Sequence, residues 1–278
     1  MTLTTTAELV ATGADSGMPV FAFNIVTLEH AEAIAAGATA AGRPCILQLS
    51  HNTIAFHGND PRPITAAALE IARTAAVPLA VHLDHVTDPE LALAAADLGV
   101  GSVMFDAGAL PYDDNVRLTA EVTAAAHDAG LFVEAELGYV GGKPDAPASA
   151  HAAGVRTDPD EAAAYVAATG VDALAVAVGS SHAMTSKSAS LDRALITRLR
   201  DAAQVPLVLH GSSGVPDDEL LAAVRAGMTK INVGTALNIA FTGAVRSVLT
   251  GTDKVDPRPY LRAARDAMAA EVQRLLEL

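Results

Sequence analysis

The sequence predicts a closed (β/α)8 TIM barrel: one domain over residues 1–278 with an extra helical segment at the C-terminus. Three observations carry this. Eight short apolar runs alternate with alanine-rich helical stretches along the chain. Asp-Pro pairs precede several of those helices and glycines follow them. No apolar run leads into the Gly-rich turn of a dinucleotide-binding sheet, which argues against an open doubly wound arrangement.

The apolar runs lie at 20–25, 45–50, 79–85, 102–107, 132–137, 173–178, 207–211 and 230–235. Each has the length and β-branched content of a buried strand. Between them, 28–41, 115–129, 160–169 and 191–203 carry alanine, leucine and acids at helical spacing. Asp88-Pro89, Asp158-Pro159 and Asp256-Pro257 place an acid at the cap and proline in the first turn. Gly42, Gly99, Gly130, Gly170 and Gly227 stand where helices stop. The stretch 260–278 follows the eighth β/α unit and is expected on the barrel's outside or against a neighbour. The connection 138–158, with Gly141-Gly142 and two prolines, is long enough for a lid.

Composition narrows the partners. A net charge of −14 argues against nucleic acid and anionic membranes, both of which need basic patches. A small phosphorylated ligand remains compatible, because a few backbone amides can hold a phosphate locally. The single Cys45 excludes an internal disulfide framework and fits a reducing cytoplasm. Met1–Thr6 lacks the basic and apolar regions of a signal peptide, and no apolar run spans a bilayer.

In such a barrel the chemistry belongs at the carboxyl ends of the strands. In order, those ends read Asn24, Ser50, Asp84 with His85, Asp106, Glu134 with Glu136, Ser180 to His182, His210 and Asn232. Three of nine histidines therefore stand at the mouths of strands three, six and seven. Three imidazoles with an open fourth position form a catalytic zinc set, and nearby acids can orient the rings or hold a second ion. A single strand-end histidine is more often structural. Three, joined by acids on strands three, four and five, are hard to assign to packing. Gly211-Ser212-Ser213-Gly214 and Asn232-Val233-Gly234-Thr235 follow strands seven and eight, the usual phosphate site of a barrel.

These segments carry a family resemblance. HLDH (82–85), VEAELG (133–138), AVAVGSSH (175–182), LVLHGSSG (207–214), KINVGT (230–235), AFN (22–24) and DPRPYLRAARDAM (256–268) together resemble class II, zinc-dependent ketose-bisphosphate aldolases. The likeness spans nearly the whole chain and leans to the fructose/tagatose-bisphosphate branch. It implies zinc on His85, His182 and His210, with Glu134 and Asp106 at an alternate or second cation position. It implies Asp84 as the acid/base for the substrate's C4 hydroxyl, and a zinc-stabilised enediolate. Gly179, Ala183, Gly211, Ser212, Ser213, Asn232, Val233, Gly234 and Thr235 would hold dihydroxyacetone phosphate, beside a monovalent cation (Na⁺ or K⁺). Asn24 and Ser50 would meet the substrate's other end. Arg258 or Arg262 would reach a phosphate in a partner subunit, as in a homodimer or homotetramer.

Departures from the pattern leave the sugar open. Asp106-Ala107-Gly108 replaces the family's Asp-Gly-Ser, and Ala183 replaces a glycine. The lid reads Gly141-Gly142-Lys143-Pro144-Asp145, without the acidic pair that follows its glycines in the family. An aldolase for a phosphorylated keto-deoxy sugar acid, or a non-catalytic sugar-phosphate-binding barrel, fits the same residues. A metal-dependent hydrolase fits less well, since strand one ends in Asn24 rather than paired histidines. A Schiff-base route needs a lysine within the barrel. Lys143 and Lys187 are read in loops, Lys254 near the C-terminus, and Lys230 at the bottom of strand eight.

Overall fold

A computed structural model describes residues 2–138 and 156–278. Helix α1 (Thr6–Ser16) precedes β1 (Val20–Asn24), α2 (Leu28–Ala41), β2 (Cys45–Ser50), α3 (His51–Phe56), α4 (Arg62–Thr74) and β3 (Leu79–Val86). Then come α5 (Pro89–Ala94), β4 (Ser102–Phe105), α6 (Tyr112–Asp128), β5 (Phe132–Leu137), α7 (Pro159–Thr169), β6 (Ala173–Val176) and α8 (Arg193–Ala203). The chain finishes with β7 (Leu207–Leu209), α9 (Asp217–Ala226), β8 (Met228–Val233), α10 (Thr235–Leu249) and α11 (Arg258–Leu276). The strands are parallel, pair in sequence order, and close where β8 meets β1. This is the expected (β/α)8 TIM barrel.

The local signals act as their chemistry requires. Asp88 accepts from the Glu90 amide at 3.0 Å, and Asp158 from the Asp160 and Glu161 amides at 2.9 and 3.1 Å. Each satisfies amides that lack partners in a first helical turn. Gly42 and Gly170 take φ of 63° and 70° beyond their helices. The C-terminal stretch packs on the outside, where α11 lies across α2 and α10 and buries Met268, Val272 and Leu275. Gly37 permits that crossing: a Cβ there would fall 2.5 Å from the Ala269 carbonyl oxygen.

Two kinds of core result. Aliphatic residues facing outward from the strands pack under the helices in one continuous layer. Inside the barrel, alanines recur: Ala22 and Ala80 beside Ile46 and Leu9 of α1 near the floor, and Ala173 and Ala175 with Val208 along β6 and β7. These small side chains leave room for a buried polar column of His82, Ser102, Glu134, Lys230 and His210. The floor is closed by α1, whose Thr6 Oγ1 lies 2.6 Å from Ser102 Oγ.

Three elements differ from the sequence expectation. The barrel-closing helix α1 lies in a stretch with no strong periodicity. β8 begins at Met228, so Lys230 lies inside the strand rather than at its start, and it is fully buried. β3 runs on to Val86 through an irregularity against β4, between Leu83 and Val86. His85 there has φ of 50°, in the left-handed region. Strict alternation would turn His85 away from Asp84. The irregularity breaks that alternation, and both side chains face the mouth.

Candidate active site

The carboxyl ends of the strands surround a cavity of about 1110 Å³. Asn24, Ser50, Asp84, His85, Asp106, His182, Ala183, Gly211, Ser212, Ser213, Asn232, Gly234 and Thr235, all singled out from the sequence, line it. Gln48, His51, Asn52, Phe56 and Asn238 also line it and were not singled out.

Three imidazoles meet at the base of this cavity, His85 and His182 in its lining and His210 fully buried beside them. The His85 ring centroid lies 5.3 Å from that of His182 and 4.8 Å from that of His210, and the last two are 5.8 Å apart. One ligand atom each from His85, His182, His210 and Glu136 fall within 4.8 Å of one another. Nitrogen and carboxylate donors converging this closely suit a divalent cation such as zinc.

The acids divide differently from expectation. Glu136, not Glu134, joins the imidazoles. Along a strand two residues span about 6.6 Å, so Glu134 lies that much deeper. There its Oε2 accepts from Lys230 Nζ at 2.7 Å, and its Oε1 lies 3.2 Å from His210 Nε2. Asp106 is likewise outside the donor group. Its Oδ2 is 3.0 Å from His85 Nδ1, and its Oδ1 accepts from the Gly108 amide at 3.0 Å. In this position it orients the His85 ring.

Charge follows these contacts. Burial lowers the affinity of the His210 ring for a proton, but hydrogen bonds to Glu134 and Glu136 outweigh burial and push its pKa up to about 10. Burial would raise the Glu134 carboxyl; the Lys230 ammonium and His210 outweigh it and hold the acid well below the carboxylate range. For His85, burial is again outweighed, here by Asp84 and the Asp106 hydrogen bond, and its pKa rises. His82 goes the other way. Burial and the Lys230 charge keep it neutral, with Nδ1 2.8 Å from Ser102 Oγ.

Asp84 stands beside the imidazoles, 2% exposed, and its Oδ1 accepts a long 3.5 Å contact from Asn232 Nδ2. Across the mouth, Gly211 has φ of 66° and leads into a single 3-10 turn, Ser212–Gly214. A Cβ on Gly211 would fall 2.5 Å from the Ser181 backbone, so only glycine fits. The Ser212 hydroxyl donates to the Asn232 carbonyl and ties this loop to β8. Ser213 Oγ accepts from the Ala236 amide at 3.0 Å, in the first turn of α10. Amides at that helix start and in the glycine loop suit an anion. Ser50 caps α3 by accepting from the Thr53 amide at 3.2 Å, and Asn24 Oδ1 accepts from Gln48 Nε2 at 3.1 Å.

Val233, Gly179 and Arg258 are not among the residues that line the cavity. Val233 packs into the outer core, so its side chain does not face the cavity. Gly179, with φ of 127°, is closely covered by the Ser190 carbonyl oxygen and the Arg156 guanidinium. Arg258 pairs with Asp256 at 2.7 Å on the surface, outside the residues that line this cavity. Gly141, Gly142, Lys143 and Asp145 of the expected lid lie outside the described residues. Ala183 has φ of 59°, a conformation that explains why a glycine is at home there in the resembling family.

Comparison with known proteins agrees with this geometry. The family model for class-II fructose-bisphosphate aldolase matches residues 4–278. A fructose-bisphosphate aldolase from Geobacillus stearothermophilus is 38% identical over 274 residues, covering 98% of this chain and 95% of that protein. The crystal structure of the YdjI aldolase from Escherichia coli K12 superposes with a TM-score of 0.84 at 31% identity, covering 98% of this chain and 95% of that one. A fructose-bisphosphate aldolase from Campylobacter jejuni, at 20% identity and a TM-score of 0.80 over 98% of this chain and 94% of that one, shares the fold. Sequence match, barrel and strand-end donors thus converge, and the chain belongs to the class II fructose-bisphosphate aldolases, a metal-dependent lyase family acting on sugar phosphates.

Proposed function

We propose that this chain is a zinc-dependent aldolase for a phosphorylated ketose, fructose or tagatose 1,6-bisphosphate, yielding dihydroxyacetone phosphate and an aldehyde. The observation that carries the reading is the donor group of His85, His182, His210 and Glu136 with Asp84 beside it at the base of the cavity. These residues would hold the ion, and zinc bound there supplies a Lewis acid for the ketone oxygen, on which charge develops as C3–C4 breaks. Asp84 is the group placed to take the proton from the C4 hydroxyl during cleavage and to return it in condensation. Asn232 orients its carboxylate. The amides of the Gly211 loop and the start of α10 bind the phosphate, with Ser213 and Thr235 at its edge. Asn24 and Ser50 face the aldehyde half. A monovalent cation (Na⁺ or K⁺) near that phosphate belongs to the same reading.

The proposal extends to a one-domain cytoplasmic enzyme acting as a homodimer or homotetramer. In its support, Ile239 and Leu249 on α10 are about half exposed, and no helix among the described residues is long and apolar enough to cross a membrane. Replacing Asp84 with Ala tests the mechanism. Zinc should remain at one per chain while turnover falls by about 10²–10⁴-fold. Undiminished turnover would remove Asp84 from its role.

A further inference from the structure

Lys230 and Glu134 are buried charges that do not line the cavity. No step of the reaction reaches them. A buried ion pair is a poor source of stability, because apolar residues of like volume often serve as well or better. Its geometry points to another use. Lys230 Nζ holds Glu134 Oε2 at 2.7 Å, and the other oxygen of that carboxylate sits 3.2 Å from His210 Nε2. The ring's other nitrogen, Nδ1, lies 2.7 Å from Glu136 Oε2, within the donor group.

We infer that the Lys230–Glu134 pair positions His210 as a metal ligand, fixing its Nε2–H on a carboxylate so that Nδ1 is the donor atom. The inference rests on the zinc reading above. A carboxylate on the distal N–H of a ligating histidine sets the tautomer, holds the ring plane and raises the basicity of the donor nitrogen. His85 has the same arrangement in mirror form, with Asp106 on Nδ1 leaving Nε2 to the cavity. The His210 device is anchored more deeply. Lys230 Nζ stands 3.5 Å from His82 Nε2, His82 Nδ1 stands 2.8 Å from Ser102 Oγ, and Ser102 Oγ stands 2.6 Å from Thr6 Oγ1. A line of hydrogen-bonding groups thus runs from the helix closing the barrel floor up to a ligand at its mouth. The lysine in this line gives the Glu134 carboxylate a second buried partner and so fixes the oxygen that faces His210.

The experiment compares wild-type protein with Lys230→Met/Glu134→Gln, which removes both charges together and leaves an amide oxygen for His210. A second variant, Glu134→Asp, keeps both charges but retracts the carboxylate from Nε2. Zinc affinity is measured by competition with a chromophoric chelator, Co²⁺ d–d absorption reports ligand geometry, and far-UV circular dichroism checks the fold. In folded variants, zinc affinity should fall about 10–100-fold and the Co²⁺ bands should shift in position or intensity. Folded variants with wild-type affinity and an unchanged Co²⁺ spectrum overturn the positioning role. Failure of the wild-type protein to bind zinc overturns the zinc reading itself, so the two failures are distinguishable.

Discussion

Replacing Lys230 alone with Met should cost the metal-free protein much of its stability. Met matches the lysine stem in length, so little packing is lost and the effect isolates the charge. The ammonium is fully buried, 2.7 Å from Glu134 Oε2, and its removal leaves that carboxylate inside the barrel. Breaking a buried pair from one side costs about 3–5 kcal/mol. His210 remains 3.2 Å from the other oxygen, which places the expectation near the lower end, at about 3 kcal/mol. For a chain of this size, that corresponds to a fall in Tm on the order of 6–12 °C. Urea unfolding at pH 7 with chelator present measures it, with Lys230→Met/Glu134→Gln as the control that removes both charges. The double variant should recover most of the loss. A single variant within about 1 kcal/mol of wild type, or a double variant as unstable as the single, would refute the assignment of a stability-critical buried pair.

Other predictions follow from the same geometry. In metal-free protein, the folded-state pKa of His210 lies above its unfolded value, so its contribution to stability is fully present below about pH 6.5 and is lost as pH rises through about 10. Thermal melts across that range should show Tm falling with pH, and His210→Gln should flatten the slope. Ala183→Gly should stabilise by about 0.5–1 kcal/mol. Relief of a left-handed alanine is worth about 1–2 kcal/mol. The added freedom of glycine in the unfolded chain offsets about 0.4–1 of that. Unchanged or lower stability would mean that φ at residue 183 is not strained in solution.

Much of this was legible in the chain because local chemistry and tertiary role coincide. Asp88 and Asp158 cap the helices they precede, and Asp84, His85, His182 and His210 gather at one end of the barrel because each lies at, or in the loop after, a strand's carboxyl end. What the sequence hid was depth along a strand. His82 and Asp84, Glu134 and Glu136, and Lys230 and Asn232 are each two residues apart and face inward together. The nearer member of each pair meets the cavity and the deeper one the polar column. Counting residues from the strand's end would have given Glu136 the ligand's place and Glu134 the supporting one. Lys230 falls at a strand start in the sequence because the run 230–235 leaves Met228 and Thr229, after the helix-ending Gly227, in the connection, whereas β8 begins at Met228. The irregularity at His85 left no sequence signal, since a histidine with positive φ is held there by its surroundings. Helix α1 was missed for a related reason: it is held by the barrel floor it covers rather than by a strong amphipathic pattern.

The most direct test of the central claim is aldol cleavage by the purified, zinc-loaded protein before and after chelation. The panel would hold fructose 1,6-bisphosphate, tagatose 1,6-bisphosphate and a phosphorylated keto-deoxy sugar acid, with release of the three-carbon product as readout. Release of dihydroxyacetone phosphate from one of the two ketose bisphosphates is predicted, abolished by chelator and restored by zinc. No chelator-sensitive release from either, with one zinc still bound per chain, would contradict the ketose-bisphosphate assignment.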